Sequence, residues 1–301
     1  MSFDDLFPQE NESPIPQNNR PFDKEAWKQQ KQEQREMVYS LIDDTAQAVA
    51  KDSTTFQKYL DVQSRFGRYS VANALLILAQ KPDATRIADF DTWKEQGIYI
   101  RKKESGFYIL EPGEEFQRDD GTVGISYNLK KMFDISQTGA YKRETPTYPD
   151  DRTRIKALMD HAPVTIRISD TLHEGLNALY RPEIREIHIK KGMDASSIFQ
   201  ALSQELAHAE MDKGDGSYSR SNNTFHAYCV SYILCKQYGV DTNGYCFARA
   251  PQMLEGMKPK EIRNELSVIR ETACEISSRM NRMLAEQRQE RRQEIERGSV
   301  K

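Results

Sequence analysis

The chain has 301 residues, 38% of them hydrophobic and 30% charged, with a formal net charge of −3. That length predicts about two domains at ~150 residues each, and the polar balance predicts solvated tails around a folded middle. The small net charge excludes nucleic-acid binding through a global positive field, so any such site must be a local patch.

Residues 1–23 are rich in Pro, Asn, Gln and acid, which predicts a disordered tail. They contain no apolar run, so no signal peptide is expected. Nowhere does the sequence approach the ~18 consecutive apolar residues of a membrane span. A cytoplasmic protein without membrane contact is therefore expected. The four cysteines, Cys229, Cys235, Cys246 and Cys274, form no C-x-x-C pair and read as reduced thiols.

A first domain is expected over 24–143. Met37, Leu41, Ile42, Thr45 and Val49 recur at helical spacing within 24–50, and Pro21 precedes them. Residues 52–80 read as two helices broken at Phe66-Gly67-Arg68, the second carrying Val71, Ala74, Leu75, Leu78 and Ala79 and ending at Pro82. Strands are predicted around Tyr99 and Ile100, over Phe107–Leu110 and over Lys130–Ile135. Turns are predicted at Glu104-Ser105-Gly106 and Asp119-Asp120-Gly121.

Residues 144–153 read as a linker to a second domain over 154–258. Strands are predicted at Val164–Ile168 and at Ile184–Ile189, the latter at a sheet edge. Asp194 or Ser196 can cap a helix that carries Gln204 and His208. Another helix over 222–238 ends at Gly239, a residue type that suits the left-handed helix terminus.

Residues 259–301 form a long charged helix and tail. Ile262, Leu266, Ile269, Ala273, Ile276, Met280 and Met283 step alternately by four and three. The stripe can pack on the chain itself, or the 259–296 helix can contact a protein partner as a coiled coil. The end of this segment, mostly charge, reads as solvated.

The segment richest in chemistry is Gln204-Glu205-Leu206-Ala207-His208. One replacement, His for Gln204, would give His-Glu-x-x-His. In that helical motif two imidazoles one turn apart hold zinc and the glutamate is the general base. The next imidazole donor along the chain is His226. Glu210, Asp212 and Asp215 are further oxygen donors, but Asp212-Lys213-Gly214-Asp215-Gly216 reads as the turn leaving the helix.

These residues carry a resemblance. Ala201–Ala209, Ala227–Cys235 and Tyr238–Tyr245 resemble the zincin-like domain of ArdC- and LtrC-type proteins, related to the ImmA/IrrE metallopeptidases. The resemblance implies a metal site at 204, 208 and 226 with Glu205 as catalytic base. The family pattern has His where this chain has Gln204 and Glu where it has His226. Two readings follow. Either His208 and His226 hold Zn2+ with Gln204 as a weak oxygen donor, or the site has decayed and the fold remains as a scaffold. A neutral amide is a poor zinc ligand.

Phe66–Ile77, Trp93–Gly97, Ile100–Gly106 and Lys131–Thr138 are similar, in order and spacing, to the ArdC-type N-terminal domain. This implies binding of single-stranded DNA. The two matches together span about two-thirds of the chain. Arg65, Arg68 and Tyr69, then Trp93, then Arg101, Lys102 and Lys103, then Lys130 and Lys131 supply the cations and aromatic faces that such binding uses. Residues 51–145 nevertheless hold 15 Lys and Arg against 14 Asp and Glu, and any one aromatic can equally be core. The expectation is an α+β protein of two domains: an N-terminal helical and β module, and a zincin-like domain followed by the long helix. The implied setting is a mobile genetic element, in antirestriction or conjugation.

Overall fold

The computed structural model describes residues 24–117, 121–142 and 146–298. The expected tail over 1–23 lies outside them. The described residues mix helices with two three-stranded sheets, an α+β architecture, and divide into two compact units. Residues 24–62, 72–142 and 250–262 form the first. The second holds 63–71, 146–249 and 263–298. Residues 63–71 and 250–262 thus fall on the opposite side of the division from the one their chain position suggests.

In the first unit, α1 (Lys24–Lys51) buries Leu41, Ile42, Thr45 and Val49 of its expected stripe and also Val38, whereas Met37 is half-buried. Helices α2 (Ser53–Arg65) and α3 (Val71–Gln80) are separated at the expected break. The sheet has order β1-β3-β2, all antiparallel, with β1 at Ile87–Ala88, β2 at Phe107–Gln117 and β3 at Val123–Asp134. Phe107 pairs with Met132 and Gln117 with Val123, so β2 and β3 form one long hairpin whose register shifts between Pro112 and Glu115. The expected strand at Tyr99 and Ile100 is reduced to one bridge, Ile100 to Thr138.

Side-chain amides finish this sheet. Asn73 of α3 donates to the Leu110 carbonyl and accepts from its N–H, both at 2.8 Å. Gln80 does the same to Tyr108, at 2.9 and 3.0 Å. At the other end of the hairpin base, buried Asp134 accepts from the N–H groups of Thr85, Arg86 and Ser136. A short helix, α4 (Phe90–Glu95), begins at Asp89, which caps it through the Thr92 N–H.

In the second unit, α5 (Asp151–Met159) starts inside the expected linker because Asp150 caps it through the Thr153 N–H. The sheet order is β4-β6-β5, with β4 at Thr165–Ser169, β5 at Ala178–Arg181 and β6 at Glu186–Lys190. Strand β6 runs parallel to β4 and antiparallel to β5. It is therefore the central strand, not the edge: Ile187 and Ile189 are buried while Ile184 lies before the strand and is exposed.

Helix α6 (Ala195–Met211) is capped by Asp194 through the Ser197 N–H, and α7 (Arg220–Tyr238) returns beside it. Gly239 ends α7 at φ +70°, and a Cβ there would sit 2.3 Å from the Tyr148 ring. The site therefore needs glycine both for its backbone and for the space. Two further helices follow, α8 (Ala250–Met253) and α9 (Pro259–Gly298). The α9 stripe Ile262, Leu266, Ile269, Ala273, Ile276 and Met280 is buried by the chain's own residues. The apolar seam that a coiled-coil partner would need is already covered. Among the described residues no helix is long and apolar enough to cross a membrane.

Candidate functional site

Ser203 of α6 and Ser231 of α7 face one another, their hydroxyls 2.7 Å apart. Five residues further towards the α6–α7 connection, His208 and His226 lie at matching height. Five residues rotate a side chain about 500°, or about 140° off the line joining the two helices. In antiparallel helices this sends the two rings to opposite sides of the hairpin. The hydrogen bonds agree. His226 Nε2 lies 2.6 Å from Glu265 of α9, while His208 Nδ1 lies 3.0 Å from the Tyr218 hydroxyl.

Glu205 is 4% exposed, and its carboxylate accepts three hydrogen bonds. Arg220, the first residue of α7, grips it with both forks, Nη1 to Oε2 at 2.8 Å and Nη2 to Oε1 at 2.6 Å. The Tyr180 N–H of β5 donates to Oε2 at 2.7 Å. Planar two-point pairing is the strongest form of this interaction. Three of the carboxylate's roughly four acceptor sites are thereby taken, and the paired cation makes it a weaker base. Burial works to lower the Arg220 pKa and the Glu205 bonds to raise it; the bonds prevail, so the group stays a cation.

His208 is completely buried. Desolvation first, then the charge of Arg220, push its pKa down to about 3, so the ring is neutral. Its Nε2 has no hydrogen-bond partner among the described residues. His226 Nδ1 is likewise buried without a partner, on the other side of the helix pair. A zinc site needs three or four such donors, and Glu205 and His226 are already bonded elsewhere. Among the described residues no three His, Cys, Asp or Glu side chains form a group that could hold a metal ion. The donor set proposed from sequence, His208, His226 and Gln204 with Glu205 as base, does not fit zinc.

Gln204 and Glu205 do share a cleft. It measures about 330 Å³ and is also lined by Arg220, Tyr228, Tyr245 and the approach to edge strand β5 at Gly175–Ala178. The Gln204 amide makes no hydrogen bond among the described residues. Arg220 is the residue the sequence did not disclose. It lies fifteen positions beyond Glu205 in a Ser- and Asn-rich stretch with no motif, and only the fold joins the two.

The residues expected to bind DNA divide between the units. Arg65 and Arg68 are exposed and Tyr69 is half-buried against Phe66, in the second unit. The others belong to the first. Trp93 needs correcting. It is fully buried and its indole N–H donates to the Phe133 carbonyl at 3.0 Å, so its faces are core and cannot stack a base. Lys130 is partly exposed but already paired. Ion pairs to Asp89 at 2.8 Å and Glu111 at 2.9 Å neutralise it, and Lys130 in turn helps hold Asp89 at a pKa of about 2. Lys131 is half-buried.

Arg101, Lys102 and Lys103 are exposed. Arg101 is tied to Glu104 and to the Ser136 carbonyl. Lys102 and Lys103 make no ion pair among the described residues. The adjoining Tyr99 is 75% exposed, the highest value among the large hydrophobic side chains described. Its carbonyl accepts from the Gly139 N–H, which brings the exposed Tyr141 and Lys142 segment alongside in the chain path.

No family model matches the chain. The chain is similar to the antirestriction ArdC protein from the R388 plasmid. The metal-free crystal structure of that protein aligns at a TM-score of 0.47 and 16% identity, over 71% of this chain and 86% of that one. Its Mn(II)-bound structure aligns at 0.47 and 17%, over 72% and 84%. The uncharacterized protein pXO2-81 of Bacillus anthracis is 23% identical over 321 residues, covering 87% of this chain and 54% of that protein. The chain thus spans about half the length of this curated relative.

Proposed function

We propose that this is a single-stranded-DNA-binding protein of a mobile genetic element, acting in the cytoplasm in antirestriction or conjugation, whose zincin-like half does not hydrolyse peptides. The observation that carries the DNA reading is Tyr99, an open aromatic face followed after one residue by Arg101, Lys102 and Lys103. Base stacking on an exposed ring, with cations along the phosphates, is how sequence-tolerant single-strand binding is built. The setting of antirestriction and conjugation rests on the sequence resemblance of the two-domain order.

Charge distribution supports the placement. The first unit is nearly neutral in total, but its charges are sorted. Glu111, Glu114 and Glu115 lie along β2 away from the hairpin base, whereas Arg101, Lys102 and Lys103 precede that base. A local positive surface survives within a neutral sum.

The test is fluorescence anisotropy with a labelled single-stranded oligonucleotide across a salt series. Binding that weakens as salt rises, and that is lost on Tyr99→Ala, supports the reading. An affinity indifferent to both changes refutes it.

A further inference from the structure

We infer that Arg220 is the resident cation of the zincin-like site, a guanidinium built into the chain between Glu205 and His208 where the motif would otherwise employ a metal ion. The inference rests on the proposal that this unit is non-hydrolytic and adds what replaced the metal.

Three observations converge on it. A carboxylate as buried as Glu205 is costly without a compensating charge. A divalent metal nearby would supply that charge; here both oxygens are bonded by Arg220. Secondly, the charge of the same guanidinium helps keep the ring of His208, the other surviving motif residue, neutral, and that ring meets the hydroxyl of Tyr218, two residues before Arg220. One positive charge therefore bonds Glu205 and bears on His208.

The third observation is what became of the remaining donors. His226 is turned to Glu265 on α9, and Gln204 faces the cleft with a neutral amide. Both substitutions suit a site whose positive charge is already covalently supplied. A strong ligand at 204 would have no ion to bind.

A guanidinium differs from zinc in what it can do. It offers directed N–H donors and no open coordination position, so it can neither polarise a carbonyl as a Lewis acid nor generate hydroxide at neutral pH. What it retains is the structural part of the metal's role: it holds α6, the start of α7 and strand β5 together through Glu205.

The test is thermal unfolding of the full chain with added zinc, with EDTA and with neither, for the unmodified protein, Arg220→Met and Arg220→Met/Glu205→Leu. The unmodified protein is expected to unfold at one temperature in all three conditions. Arg220→Met should lower Tm by about 5–10 °C, because it strands a buried charge. The double variant should regain most of that loss, because it removes the stranded charge as well. A Tm that falls in EDTA would overturn the inference, as would equal losses in the single and double variants.

A second measurement is zinc bound per chain. Gln204→His alone should remain metal-free with Arg220 in place, and one zinc per chain in that variant would overturn the inference. Oligonucleotide binding is measured on the same samples. Its absence from the unmodified protein would remove the DNA-binding proposal without touching the role of Arg220, which the unfolding and zinc measurements decide by themselves.

Discussion

The loop at Tyr99–Lys103 and the cleft at Glu205–Arg220 use charge in opposite ways. In the loop, Lys102 and Lys103 stand in solvent beside an open aromatic ring. In the cleft, the charges that could do chemistry have found each other, and the carboxylate is closed off by three hydrogen bonds. An unsatisfied charge is available to a ligand. A satisfied one belongs to the fold. That contrast is what the proposed function rests on, with a binding surface in the first unit and a scaffold in the second.

The largest effect that would sharpen the contrast comes from Trp93. Trp93→Ala should destabilise the first unit by about 3–5 kcal/mol, measured by denaturant unfolding. It should not alter oligonucleotide affinity under conditions where the variant is folded. A selective affinity loss would return Trp93 to the binding surface.

Tyr99→Ala should act in reverse. Loss of one stacking face is worth about 1–3 kcal/mol of affinity, with an unfolding midpoint unchanged within error, because the ring packs little. An unfolding midpoint that drops with affinity would mean the residue is structural.

Lys102→Ala/Lys103→Ala should weaken binding further at low salt than at high salt. The slope of log affinity against log salt should become shallower by about 1.4, at ~0.7 for each single-strand phosphate no longer neutralised. Lys130→Ala should leave that slope unchanged, since its charge is already met by Asp89 and Glu111.

A separate effect, confined to acid conditions, concerns pH. His208 has a folded pKa of about 3 against an ordinary value of 6.5. Between those values the unfolded chain binds the proton and the folded chain does not. Stability from this group is therefore complete above about pH 6.5 and falls as pH drops towards 3, by at most ~1.4 kcal/mol per pH unit. His208→Phe should flatten that part of the stability–pH curve. An unchanged curve would show that the ring protonates while folded.

Much of the helical framework is legible in the sequence because helices announce themselves locally. The stripe on α1, the break near Gly67, the Asp194 cap and the Gly239 terminus each need only neighbouring residues. The spacing of the α9 stripe is equally plain, but not its destination, since periodicity does not say what covers a face. Strand β5 gives no such signal. Four residues, Ala-Leu-Tyr-Arg, are too few to show alternation, and without β5 the strand at Glu186–Lys190 reads as an edge.

The candidate site is legible only as a motif. Gln204, Glu205 and His208 are close in sequence, so their sharing of one helix can be read directly. Whether His226 faces them depends on the rotation of α7, which no local pattern fixes. Arg220 carries no signal at all: its meaning is a single long-range ion pair. Tyr99 misleads for a related reason. A β-prone pair, Tyr99 and Ile100, looks like a strand whether or not a partner strand exists, and here the pairing amounts to one bridge.

The amides of Asn73 and Gln80 on β2 have a bearing on how copies of the protein behave when crowded. Strand β2 is the outer strand of its sheet, and an open outer strand invites another chain to add on. Its outward positions alternate as Tyr108, Leu110 and Pro112. The first two are plugged by side chains of α3, and the third is a proline with no N–H to offer. The route by which neighbouring molecules would zip into a continuous sheet is blocked at three successive steps. A solution crowded with copies would resist β-type aggregation along this part of the edge.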